Sequence, residues 1–221
     1  MTVFCEKRQQ ILDESGHLLV IGGPGSGKTT IALKKALRVI EEGLLPGQAV
    51  LFLSFSRAAV ARIAGASRNT VRKDKRQQLN IQTFHSFCWE LLRSHGYLVG
   101  CPRRRFEILL PHQEKALSRG IKAPQKGQAA SDSWSSWQKE RERLFNEEGK
   151  ITFDLFAPKS VELLQRCPLI RELVADKYPL IIVDEAQDTG HDAWLCIEAL
   201  AAYAQVICLG DLEQQIFDHL E

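Results

Sequence analysis

The 221-residue sequence has no apolar run that approaches the roughly 18 residues a helix needs to cross a bilayer. Its first residues lack the basic segment followed by an apolar one that marks a secretory signal. The six cysteines are scattered, and no two form the C-x-x-C pair typical of zinc sites. We therefore expect a cytoplasmic protein without membrane contact, without a disulfide framework, and with cysteines that act mainly as small buried apolar residues.

Net charge is also nearly absent. Lys and Arg total 29 and Asp and Glu total 27, which gives a formal net charge of +2. This excess does not by itself indicate a nucleic-acid partner, because the distribution of charge matters more than its sum. One basic segment, 68–78, carries Arg and Lys against a single Asp74. It is either a solvated loop or helix face, or a patch that contacts phosphates.

One glycine-rich segment organises the chain. It follows an apolar run at 18–21 and precedes a pattern of helical apolar spacing, and it reads Gly22-Gly23-Pro24-Gly25-Ser26-Gly27-Lys28-Thr29-Thr30. Strand, glycine loop and helix form the setting that the G-x-x-x-x-G-K-[ST] pattern requires. Glycines allow backbone N–H groups to face a phosphate, and the following helix adds its free N–H groups and positive dipole end. All nine residues are therefore candidate nucleotide ligands.

Two side chains complete the chemistry of this loop. Lys28 is long enough to reach the β- and γ-phosphates of a nucleotide, and the Thr29 hydroxyl can hold Mg²⁺. The alternative is a glycine-rich turn without a ligand, which the strand and the helix on either side make less favoured. The sequence thus predicts nucleotide and Mg²⁺ binding here.

Apolar runs of strand length recur along the chain, at 49–54, 178–183 and 206–209. Helical patterns separate them, at 28–42, 57–65, 85–95, 159–176 and 191–203. Strands that alternate with helices predict an α/β fold, a parallel sheet with helices on both faces, whose ligands lie at the carboxyl ends of the strands. The glycine loop, Asp184-Glu185 and Asp211 all fall at such ends, so we expect one crevice to hold them.

The acidic pair Asp184-Glu185 directly follows the most apolar run of the chain. Asp184 can hold Mg²⁺ beside Thr29. Glu185 would then stand next to the γ-phosphate, where it can orient or deprotonate an attacking water. The structural alternative is that both carboxylates merely cap the next helix.

The segment 97–150 differs from the rest, with low apolar content and few strand signals. We predict an inserted, mostly helical subdomain here, with a loose loop near 122–133. The remaining parts, 1–96 and 151–221, would form one discontinuous domain. Trp134 and Trp137 lie three residues apart, which favours a packing face over a base-stacking platform.

Several blocks resemble the motifs of superfamily 1A DNA helicases of the UvrD/Rep type. They are Gly22–Thr29 for motif I, Leu53–Ala59 for motif Ia, Gln82–Ser86 for motif Ib, Val183–Thr189 for motif II and Leu209–Phe217 for motif III. The order D-E-x-Q-D-T followed by G-D-x-x-Q-x-I is specific to this group. The resemblance covers 4–96 and 151–217 and implies a P-loop, RecA-like N-terminal domain. The segment 97–150 falls where the family carries its 1B insertion.

The resemblance also implies roles for individual residues. Lys28 and Thr29 would bind the phosphates of ATP and Mg²⁺, Asp184 would assist the metal, and Glu185 would be the catalytic base. Gln214 would sense the γ-phosphate. Contact with single-stranded DNA is implied for Phe55, Thr83, Phe84, His85 and Phe217. Phe217 would stack on a base, whereas Phe55 and Phe84 could equally be core residues at strand ends.

The sequence departs from the family pattern at two places. Lys7 or Arg8 falls nearest the position of a glutamine that usually reads adenine. Near the end of the sequence, Leu220 replaces an arginine and His219 replaces a larger aromatic ring.

These motifs predict the ATP-hydrolysing motor domain of a helicase that translocates on single-stranded DNA. Such a motor needs a second RecA-like domain, and we expect one to be supplied outside this chain. The isolated chain should then hydrolyse ATP very slowly and unwind nothing. The alternatives are a non-catalytic helicase remnant that binds nucleotide or a partner, and an RNA helicase of the other superfamily 1 branch.

Overall fold

The computed structural model describes residues 5–100, 106–124 and 129–211. In chain order the strands are β1 Leu18–Ile21, β2 Val50–Ser54, β3 Leu79–Thr83, β4 Glu107–Ile108, β5 Lys150–Ile151, β6 Leu180–Asp184 and β7 Gln205–Gly210. The helices are α1 Glu6–Asp13, α2 Lys28–Gly43, α3 Arg57–Thr70, α4 Phe84–His95, α5 Pro111–Leu117, α6 Asp132–Arg143, α7 Phe156–Arg166, α8 Pro168–Lys177 and α9 His191–Ala201. None of the helices in these described ranges combines the length and the apolar character needed to cross a membrane.

The chain divides into two compact units. The first comprises Met1–Phe87 and Cys167–Glu221, and the second comprises Cys88–Arg166. The predicted insertion at 97–150 lies inside the second unit. Its two short strands, β4 and β5, pair in parallel and were not predicted.

A five-stranded sheet forms the centre of the first unit, in the order β1-β7-β6-β2-β3. Every neighbouring pair is parallel, which confirms the predicted α/β sheet. Strands β2 and β6 are buried along their whole length, as expected of continuous apolar runs in a parallel sheet. All the strands therefore end at one edge of the sheet.

Helix α2 anchors the glycine loop to this sheet. Its buried face repeats at helical spacing through Ala32, Ala36 and Ile40, and it packs against strand residues such as Phe52 and Ile207. Full burial of a side chain the size of Ile40 contributes about 1.5–3 kcal/mol. The helix that follows the loop is thus held firmly over the sheet.

The prediction of one helical segment at 159–176 was wrong, because the structure has two helices there. Helix α7 ends at Arg166, and α8 begins with Pro168 in its first turn. Proline has no N–H to donate and clashes inside a helix, but it fits the first turn of a new one.

In addition, α3 continues beyond the predicted 65 to Thr70, and Phe84 begins α4 instead of ending a strand.

The second unit has its own small core. Leu109, Trp137 and Leu144 are buried together, with Ile121 and Trp134 packed against them. Both tryptophans of α6 therefore pack against the core of this unit, as their spacing predicted.

A buried lysine joins α1 to α2. Only 6% of Lys35 is exposed, and its Nζ donates hydrogen bonds to Leu12 O at 2.7 Å and to Glu14 O at 2.6 Å. These carbonyls lie at the end of α1, where the helix itself supplies no donor. Lys35 thus holds α1 beside the helix that follows the glycine loop.

Replacement of Lys35 by Met should lower the free energy of unfolding by about 2 kcal/mol, because two carbonyls lose a charged donor. Lys7→Met, at an exposed position on α1, should change it by less than about 0.5 kcal/mol. Urea unfolding followed by circular dichroism measures both values. Equal stability of the two variants would contradict this role of Lys35.

Candidate functional site at the carboxyl edge of the sheet

The glycine loop leaves β1 and curls directly into α2. Gly22 N donates to Gly210 O at 3.3 Å, which fixes the start of the loop against the end of β7. Gly25 and Gly27 have φ angles of 73° and 87°, in the left-handed region that favours glycine. The loop therefore depends on glycine at these two positions to reach the first turn of α2.

Lys28 lies over this loop. Its Nζ donates to Gly22 O, and to Gly23 O at 3.2 Å. Arg8 of α1 approaches from outside and donates from Nη2 to Ser26 O at 3.0 Å. Arg8, one of the two residues nearest the expected adenine-reading position, thus supports the loop backbone.

Asp184 and Thr29 meet, although they are far apart in the sequence. Thr29 Oγ1 lies 3.3 Å from Asp184 Oδ1 and 3.5 Å from Oδ2. Asp184 ends β6 and is only 1% exposed. Burial, followed by the nearby charge of Glu185, raises the pKa of Asp184, while the Arg62 guanidinium acts in the opposite direction. The hydroxyl and the carboxylate together present oxygen atoms of the kind that Mg²⁺ prefers.

Glu185 turns the chain sharply after β6. Its φ of 55° is left-handed, which costs a side chain with a Cβ on the order of 1–2 kcal/mol. The Glu185 side chain forms no cap of the following turn and instead accepts from Gln187 Nε2 at 2.7 Å. Gln187 Oε1 in turn accepts from the N–H of Asp211 at 3.2 Å. Gln187 therefore ties Glu185 to the end of β7, and the helix-capping alternative finds no support for Glu185.

One cavity of about 370 Å³ brings these groups together. Its lining consists of the loop and first-turn residues 24–30 with Arg62, Glu185 and Asp211. The predicted crevice with the loop, Glu185 and Asp211 is therefore present. Arg62 was missed by the sequence analysis. The sequence could have indicated Arg62 through its position on α3, because this helix starts from the same edge of the sheet as the loop.

The candidate DNA residues lie at the ends of β2 and β3. The rings of Phe55 and Phe84 stack with centroids 5.3 Å apart, and Phe84 is only 2% exposed. Thr83 Oγ1 lies 2.8 Å from Ser86 Oγ and accepts from Ser86 N at 3.1 Å, while His85 is exposed. The buried ring of Phe84 thus supports the partly exposed Phe55. Gln214 and Phe217 lie outside the described residues.

Part of the basic segment 68–78 has local partners. Arg76 donates from Nη2 to Arg68 O at 2.7 Å, and Arg72 pairs with Asp74 at 3.2 Å. At least one of these cations therefore shapes the turn after α3.

The left-handed backbone at position 185 can be tested with two variants that both remove the carboxylate. Glu185→Gly should be more stable than Glu185→Ala by roughly 1 kcal/mol, because only alanine retains the Cβ that strains this conformation. Chemical denaturation of both proteins measures the difference. Greater stability of the alanine variant would show that the backbone at 185 is not strained.

The buried carboxylate of Asp184 should make stability depend on pH. Its pKa is raised by folding, so ionisation opposes folding above the ordinary carboxyl pKa, and the penalty disappears as the pH falls below it. Asp184→Asn should therefore stabilise the protein near pH 7 without Mg²⁺, by on the order of 1 kcal/mol, and the gain should vanish towards pH 3.

Thermal unfolding from pH 3 to pH 8 in a chelating buffer measures this gain. Asp188→Asn, at an exposed position of the same segment, is the control and should show no such trend. A stabilisation by Asp184→Asn that is independent of pH would argue against the raised pKa.

Comparison with known proteins places these motifs in a family. The sequence model of the UvrD/REP helicase N-terminal domain matches residues 5–139 and 109–220. Relatives include the ATP-dependent DNA helicase PcrA of Staphylococcus epidermidis (strain RP62A) and that of Staphylococcus aureus (strain Mu50). Each is 23% identical in an alignment 245 positions long that covers 96% of this chain and 33% of the relative. The chain therefore spans about a third of the length of these curated relatives. Because the family model matches most of the sequence, the resemblance is confirmed, and the chain belongs to the UvrD/REP helicase N-terminal domain family.

Proposed function

We propose that this chain is the ATP-binding and ATP-hydrolysing portion of a DNA helicase motor that translocates on single-stranded DNA. The observation that carries the proposal is the convergence of the glycine loop, Thr29, Asp184 and Glu185 at one edge of the sheet. The relatives in the family bear the name ATP-dependent DNA helicase, which supports both the nucleotide and the substrate.

The residues present fit a nucleotide with Mg²⁺. Thr29 and Asp184 offer oxygen ligands close to each other and to the loop, and Mg²⁺ is commonly held by one or two such groups together with phosphate oxygens and waters. When bound, the ion would neutralise charge on the β- and γ-phosphates. The loop N–H groups and the first turn of α2 would hold those phosphates.

Two side chains would carry the chemical step. Lys28 would exchange its contacts with Gly22 O and Gly23 O for a phosphate oxygen. Glu185 would orient the attacking water and accept its proton, with Gln187 fixing the position of the carboxylate. Gln214 would sense the γ-phosphate.

The DNA strand would lie across the ends of β2 and β3. Phe55, Thr83 and His85 are proposed to contact it, with the ring of Phe84 stacked against that of Phe55, and Phe217 is proposed to stack on a base. Stacking on aromatic rings tolerates any sequence, as a translocating motor requires.

We further propose that a second RecA-like domain completes the ATP site, and that 97–150 corresponds to the family's 1B insertion. Location in the cytoplasm remains a prediction. A non-catalytic remnant is less favoured, because such a module would not need Glu185 held beside the loop.

The test measures Mg²⁺-dependent ATP binding and single-turnover hydrolysis by the whole chain, with and without single-stranded DNA. Lys28→Ala should abolish ATP binding. Glu185→Gln should retain binding but slow hydrolysis by about 10²- to 10⁴-fold, because it removes the base. Asp176→Asn, which changes an exposed carboxylate of α8 outside the motifs and the cavity, is the matched control and should preserve both activities.

Two outcomes would count against this function. Absence of ATP binding would overturn it. Hydrolysis that Glu185→Gln leaves unchanged would refute the role of Glu185 and favour the non-catalytic remnant.

A further inference from the structure

Arg62 is the residue of the cavity that the sequence motifs leave without a role. It belongs to α3, which begins after β2 and is capped by Ser56, whose Oγ accepts from Ala59 N at 3.0 Å. The next residue, Ile63, is 1% exposed and packs into the core of the first unit. This packing fixes the rotation of α3, so that Arg62 lines the cavity while its neighbour fills the core.

The cavity lining carries two cations, Arg62 and Lys28, and two carboxylates, Glu185 and Asp211. Lys28 is engaged with the carbonyls of its own loop. Among the described residues, Arg62 has no hydrogen-bond or ion-pair partner, although it is close enough to Asp184 to influence that carboxylate. Its planar guanidinium is suited to bidentate contact with phosphate oxygens.

The position of Arg62 indicates which phosphate it would contact. Backbone N–H groups of a glycine loop cradle the α- and β-phosphates, and the loop lysine reaches the β- and γ-phosphates. Arg62, Glu185 and Asp211 are the lining residues that belong neither to the loop nor to α2. Glu185 is the residue proposed to act at the terminal phosphate, so Arg62 shares that part of the lining.

We propose that Arg62 binds the γ-phosphate of the nucleoside triphosphate, so that this chain distinguishes a triphosphate from a diphosphate with a residue of its own. The inference rests on the proposed function of the site. It adds a cation supplied within this domain to the arginines that a second domain would contribute. Arginines at such positions can increase phosphoryl-transfer rates by ~10³- to 10⁵-fold.

The experiment compares the affinity of the chain for a slowly hydrolysed ATP analogue and for ADP, both with Mg²⁺, by calorimetry. Arg62→Ala should weaken binding of the analogue on the order of 10- to 100-fold, because a charge-assisted contact is lost, and should change ADP binding less than about threefold. Arg62→Lys should recover part of the loss, since it restores the charge but not the bidentate geometry.

The control is Arg93→Ala, an exposed arginine on α4 that does not line the cavity, and it should bind both nucleotides as the unmodified chain does. Equal effects of Arg62→Ala on the analogue and on ADP, or no effect, would overturn the inference. If Lys28→Ala abolishes binding of both nucleotides while Arg62→Ala leaves both affinities unchanged, only the role of Arg62 is refuted. If the unmodified chain binds neither nucleotide, the proposed function fails as well.

Discussion

The parallel alignment of five strands is the constraint on which the rest of the structure depends. Because all the strands run in one direction, their carboxyl ends meet at one edge, and the register places Ser54 beside both Asp184 and Thr83. Neighbouring strands lie about 4.8 Å apart, so Asp184 and Thr83 are separated by roughly 10 Å. The proposed nucleotide and DNA contacts therefore share one rigid layer of the sheet.

This arrangement carries a local energetic cost. Asp184 is a carboxylate buried at the end of a central strand, and Glu185 adopts a left-handed backbone conformation. The apolar core under α2 and the strands provides the stability that offsets both features. Gln187 limits the freedom of Glu185 by linking it to the end of β7, which makes the carboxylate a pre-positioned group.

The cations of the site differ in the partners that they have in this structure. Arg8 and Lys28 bind backbone carbonyls of the glycine loop and thereby stabilise its shape. Arg62 faces the cavity without such a partner among the described residues and remains available to a ligand. In the proposed function Lys28 would leave these carbonyls for a phosphate oxygen, so that Arg8 keeps the support of the loop while Lys28 and Arg62 bind phosphates.

The sequence by itself determined the features that depend on local chemistry. Glycine was needed where the loop adopts positive φ, and a run of apolar residues ending in Asp184-Glu185 predicted a buried strand that delivers carboxylates to an edge. The tertiary structure alone decided the features that depend on packing between distant segments. The rotation of α3 places Arg62 in the cavity, the buried ring of Phe84 stacks on Phe55, and Gln187 bridges two strand ends that lie far apart in the sequence. No local pattern encodes these contacts, because each depends on which face of an element meets its neighbour in the folded sheet.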